Sequence, residues 1–177
     1  MWYNKHTNKG KYMQVWMMSN RQPWTEAVIS GIISSKTRDN LWIKTGDLVF
    51  LHASLSLWSG WDRLSWTKGM DVKSLPRGVV YGLAHVMQVG DTRLIMPKAD
   101  RVNFVVRDFG TERFCGMSMT VLFDHVVKLP QITVRGLQQP SKKLPKELLD
   151  GIGVNVEYQQ ALYGMGVNWA DLVRING

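Results

Sequence analysis

The stretch MMSNRQPWTEAVISGIISSKTRDN, residues 17–40, sets the reading of the whole chain. A short apolar strand, MQVWMMS at 13–19, runs into polar SNRQPW and then into an amphipathic segment. Pro23 suits the first position of a helix, where its missing N–H is not needed. Trp24, Ala27, Val28 and Ile32 follow at i, i+3, i+4 and i+8, which turns one helical face into a core and makes Trp24 a core residue first. The segment then meets Ser34, Ser35, Lys36, Thr37 and Arg38, a basic, serine-rich turn. Hydroxyls, backbone N–H groups, a point charge and a planar guanidinium fork there suit an anionic ligand. The plainer reading of Arg38 is an ion pair with Asp39 or Asp47.

Downstream, TRDNLWI (37–43) and DLVFLHA (47–53) read as strands around the turn KTG. Residues 54–78 form a long connection rich in Ser, Trp and Gly, a length that ordered loops reach mainly for a purpose. GVVYGLAHVMQV (78–89) returns to strand character, residues 90–113 form an irregular excursion, and MSMTVLFDHVVKL and QITVRG read as two strands split by Pro130. LPKELLDGIG and VEYQQALYGMGVNWADLVRI give two or three short C-terminal helices. Several short strands with few helices and Gly/Pro punctuation predict an α+β fold built on a small, strongly bent sheet or β-barrel with peripheral helices.

The 177 residues suffice for one domain with a proper core, and 45% hydrophobic with 20% charged residues is ordinary for a globular chain. No apolar run approaches the roughly 20 residues that cross a bilayer. The start, MWYNKHTNKGKYMQ, lacks a secretory apolar stretch, and Cys115 stands alone, so a cytoplasmic protein without membrane contact is expected. Residues 1–12 read as a basic, flexible arm. A net charge of +8 favours a polyanion, nucleic acid foremost, against a basic surface kept for solubility. Among eight tryptophans most belong to the core, yet aromatic rings beside cations also serve single-stranded sites.

Histidines 6, 52, 85 and 125 have no metal-ligand spacing, and no glycine-rich phosphate loop, dinucleotide fingerprint or nucleophile elbow occurs, so neither metal nor cofactor is expected. Cys115 reads as a small buried residue. His52 near Ser54 could hint at nucleophilic chemistry, but a strand-end histidine bonded to a backbone carbonyl is the leading reading.

Taken in order, RQPW with Gly31, DLVFLHAS, LPRGVVYGLAHVMQV and VLFDHVVKLPQITVRGLQQPSKKLP resemble an ASCH domain, a module similar to the PUA fold. The resemblance spans residues 13–146, leaving 147–177 as a helical extension. It implies a nucleotide-holding cleft. The family signature G-x-K-x-x-E-x-R keeps Gly31 and Arg38, whereas Ile33 replaces the lysine and Lys36 the acid, and about His85 stands where amidohydrolases acting on N4-acetylcytidine carry a glutamate. Isoleucine and histidine cannot supply an amine and its carboxylate. Binding of RNA or single-stranded nucleic acid, around one flipped or modified nucleotide, is therefore the expected function. The candidate contacts are Arg21, Trp24, Ser35, Lys36, Thr37, Arg38, His52, Ser54, Trp58, Trp61, Arg63, Arg77, Arg135, Lys142 and Lys143, with Trp66 as a further ring. One alternative is a hydrolase, either amidohydrolase or ribonuclease, using Lys36, Glu26 and His85. Another is an adaptor binding a protein partner through its C-terminal helices.

Overall fold

The computed structural model describes residues 13–38, 42–95, 119–135 and 143–177, so the arm at 1–12, Asp39, Cys115 and Lys142 lie outside it, as does the side chain of Arg38. Five strands, β1 (Val15–Gln22), β2 (Ser35–Arg38), β3 (Leu48–Leu57), β4 (Val79–Asp91) and β5 (Met119–Thr133), form one sheet in the order β1-β3-β4-β5-β2. β1 runs parallel to β3, and the other pairs are antiparallel. Helices α1 (Trp24–Ile29), α2 (Thr92–Ile95), α3 (Lys146–Gly153), α4 (Val156–Gly164) and α5 (Trp169–Asn176) complete an α+β fold. Among the described residues the sheet does not close into a barrel: β1 and β2 are its two edges, since β2 has only four residues and pairs with the start of β5 alone. No described helix is long and apolar enough to cross a membrane.

Both faces of the sheet are covered. In β1 the side chains alternate, Trp16 and Met18 to one face, Val15 and Met17 to the other, and all four are buried. Helix α1 covers the first face, laying Trp24, Ala27, Val28 and Ile29 on Met18, Leu51, Tyr81, Val86 and Phe123. Gly31, at φ +75°, then turns the chain out of the helix, a conformation that favours glycine. The three C-terminal helices cover the second face: Leu148, Ile152, Tyr158, Leu162 and Leu172 pack with Met17, Phe50, Leu83 and Leu129. They complete the core that the sheet begins.

Three expectations change. Residues 34–38 are not a turn: Ser35–Arg38 pair with Leu122–Met119, so their backbone belongs to the sheet ladder. Residues 42–47 are a loop and not the end of a strand; its Asp47 carboxylate gathers the N–H groups of Gln14, Lys44 and the Trp16 indole. Pro130 does not split β5. The register slips between Val80↔Ile132 and Gly82↔Lys128, and the proline occupies that bulge, where the ladder does not need its missing N–H.

Candidate nucleic-acid interface

The mixed topology brings distant segments to one end of the sheet. β1 and β3 end there, β4 begins there and β5 ends there. The Trp58 N–H donates to Gln22 O at 2.8 Å, Gly78 N–H to Ala53 O at 2.7 Å and Val134 N–H to Gly78 O at 3.0 Å. These bonds bring the backbones beside Arg21, Arg77 and Arg135 to that end, all three exposed, and the connection between β3 and β4 carries exposed Arg63, Lys68 and Lys73. Between residues 54 and 78 the only acids are Asp62 and Asp71, against Arg63, Lys68, Lys73 and Arg77. None of the six cations forms an ion pair with a described residue.

Tryptophans organise the connection. Trp58 and Trp66 meet the buried Trp24 edge-on, at centroid distances of 5.4 and 5.6 Å, and Gly60 has no side chain because the Trp58 ring occupies the space. Trp24 and the half-buried Trp58 and Trp66 thus form part of the core's rim, with Trp61 also half-buried. The Lys36 ammonium lies over the Trp24 ring at 4.6 Å, a cation–π contact. Strand alternation sends Lys36 to the α1 face and its neighbours Ser35 and Thr37, both buried, to the other, so the three do not share one ligand surface.

Beside the same end, the Gln22 side chain ties three groups together. Its amide donates to Pro76 O and to the Tyr81 hydroxyl, each at 2.8 Å, and its oxygen accepts the Glu26 N–H at 3.1 Å. Tyr81 in turn donates to Glu26 Oε2 at 2.8 Å, while Lys128 Nζ stands 4.0 Å from Oε1. Burial holds the Tyr81 hydroxyl far above its usual pKa, which keeps it a donor.

No protein-family model and no curated protein matches the chain. Among solved structures it is similar to ASCH from Zymomonas mobilis, with a TM-score of 0.54 and 13% identity over 80% of this chain and 96% of that one. A serine-to-alanine mutant of that protein aligns at TM-score 0.49 and 13% identity, and a tyrosine-to-phenylalanine mutant at 0.48 and 14%, each over 80% of this chain and 96% or 99% of the other. This chain has the ASCH fold.

On that ASCH frame the three alternative catalytic residues do not converge. Ala84 and Val86 pack on the α1 face, so His85 between them points to the opposite one, away from Glu26 and Lys36. There its Nδ1 meets Asp124 Oδ1 at 2.5 Å, next to His125, the bulge residue with φ 46°. Ile33, where the ASCH signature has lysine, is buried in the core. His52 is fully buried, bonded to Ser19 Oγ and to Val134 O at 3.0 Å, and offers nothing to a ligand. Ser54 is half-buried with its hydroxyl turned to Ser56, and exposed Lys143 lies beside the C-terminal helices. No group of three His, Cys, Asp or Glu able to hold a metal occurs among the described residues. Lys73, Lys128 and Trp42, a residue 73% exposed, are marked by no sequence pattern until the register is known.

Proposed function

We propose that the protein binds RNA or single-stranded nucleic acid through the basic end of its sheet. The observation that carries this reading is that Arg21, Arg77 and Arg135 stand at three strand ends on one end of the sheet and Arg63, Lys68 and Lys73 on the connection that starts and finishes there, all exposed and free of ion pairs with described residues. Unpaired guanidinium groups on a chain of net charge +8 gain affinity for phosphates by releasing condensed counterions. Trp58, Trp61 and Trp66 stand in the same connection as Arg63 and Lys68, each half-buried, and supply the aromatic surfaces. The hydrolase reading has less support, because His85 and the Glu26–Lys36 side of the sheet face apart. The adaptor reading must do without Leu148, Ile152, Tyr158, Leu162 and Leu172, which the sheet already covers.

The test is fluorescence anisotropy of labelled single-stranded RNA titrated with the protein at several salt concentrations. The expected result is binding whose log K falls linearly with log salt with a slope of several units. Absent or salt-independent binding overturns the proposal.

A further inference from the structure

Glu26 is an acid placed where a phosphate-binding surface would exclude one. Its carboxylate sits next to the arginine-bearing backbones: Gln22 adjoins Arg21, Pro76 adjoins Arg77, and the Gln22 side chain bonds Pro76 O, Tyr81 and the Glu26 N–H. The side chain is 15% exposed, so it is largely removed from water without being sealed off. Oε2 accepts the Tyr81 hydroxyl at 2.8 Å, which fixes the plane of the carboxylate. Oε1 has no hydrogen bond to a described residue; its closest cation, Lys128 Nζ, stands 4.0 Å away on a side chain that is 68% exposed. A largely buried carboxylate ordinarily fills both oxygens, and this one is oriented by a neutral network yet retains an acceptor.

A carboxylate repels phosphate, so in a basic patch its use is toward the one part of a nucleotide that donates. Exocyclic amino groups of adenine, cytosine and guanine do so, and a glutamate accepting from such a group is a known mode of base reading. Uracil presents one N–H flanked by two carbonyl oxygens, which would face the carboxylate's lone pairs.

Resting on the nucleic-acid reading above, we infer that Glu26 is a specificity-determining residue whose Oε1 accepts the amino N–H of an unpaired base, favouring amino-bearing bases over uracil. Gln22 and Tyr81 are positioning residues that hold the carboxylate in place.

The experiment compares short labelled oligo(A), oligo(C) and oligo(U) ribonucleotides against the wild-type protein, Glu26→Gln and Glu26→Asp. The wild type is expected to prefer oligo(A) or oligo(C) over oligo(U) by about tenfold. Glu26→Gln keeps an oxygen for Tyr81 but can present an N–H toward the base, so the preference should vanish or turn toward uracil. Glu26→Asp retains the charge and withdraws the carboxylate by one methylene, and it should also lose the preference. The ratio between bases is the readout, because removing a negative charge raises affinity for every strand alike. Equal wild-type affinities, or a ratio unchanged in both variants, overturn the inference. Salt-dependent but base-blind binding overturns it while leaving the nucleic-acid reading intact, and no binding of any strand removes both.

Discussion

The ring of His52 and the carbonyl of Val134 meet at 3.0 Å, and this contact places a proton on Nε2. A carbonyl only accepts, so Nε2 donates to Val134, and in the neutral ring Nδ1 is then the acceptor for the Ser19 hydroxyl. Burial lowers the His52 pKa below 6.5, with the Val134 carbonyl acting in the opposite sense. The unfolded chain therefore takes up a proton near 6.5 that the fold refuses until lower pH. Stability from this group is complete above that value and declines as pH falls toward the folded pKa. Thermal melts should shift down between about pH 7 and pH 5. His52→Gln should cost about 1–3 kcal/mol at neutral pH and flatten that dependence. An undiminished pH slope in the variant would assign the effect to other groups.

Gly82 fixes how closely α1 approaches the sheet. A Cβ at this position would stand 2.8 Å from both Cγ1 and Cδ1 of Ile29, the last residue of the helix. Gly82→Ala should therefore destabilise by about 1–3 kcal/mol through overpacking. Ile29→Val removes the Cδ1 atom, so the double variant should recover part of the loss, and a double-mutant cycle by chemical denaturation measures the coupling. Purely additive effects would contradict the proposed collision.

The elements that sequence made legible are those with a strong period. Trp24, Ala27 and Val28 marked α1, and apolar runs marked β1, β3 and β4. Ser34, Ser35 and Lys36 look like a turn in the sequence because polar residues carry no strand alternation, with strand character expected only from Thr37 on; the partner β5 makes Ser35–Arg38 a strand. Pro130 looks like a break in the sequence because the bulge opposite Tyr81 is a property of two strands, not one. At the site, Arg21, Arg77 and Arg135 were each recognisable, but their meeting depends on a parallel β1–β3 pair that no local pattern announces. The face of His85 is hidden for the same reason: Ala84 and Val86 set it, and it is opposite to that of Glu26 and Lys36.

The C-terminal helices are held by more than apolar contact. The Tyr158 hydroxyl, fully buried, shares its one proton between Pro130 O at 2.7 Å and Val80 O at 3.0 Å, on the two strands that flank the bulge. Tyr158→Phe leaves both carbonyls without that donor and should lower stability by about 1–3 kcal/mol by urea denaturation. Deleting residues 146–177 should do far more, since it bares Met17, Phe50, Leu83 and Leu129. The truncated chain should lose its cooperative melt and bind a hydrophobic dye. Retention of a sharp transition would show instead that the sheet stands without its second layer.

If the basic end contacts phosphates, its arginines act through counterion release and not through the fold. Arg21, Arg77 and Arg135 are exposed, so alanine at each should change stability by no more than about 0.5 kcal/mol. Each should reduce the slope of log K against log salt by about 0.7, and the triple variant by about 2, since every lost contact releases one fewer set of counterions from a single strand. Lys146 is a control: it is equally exposed, pairs with Asp150 at 2.6 Å and belongs to α3 on the other face of the sheet. Lys146→Ala should leave the slope unchanged. Anisotropy titrations between about 50 and 200 mM salt separate the outcomes. A slope that falls for Lys146→Ala but holds for the arginine variants would move the nucleic-acid contact from the strand ends to the helical layer.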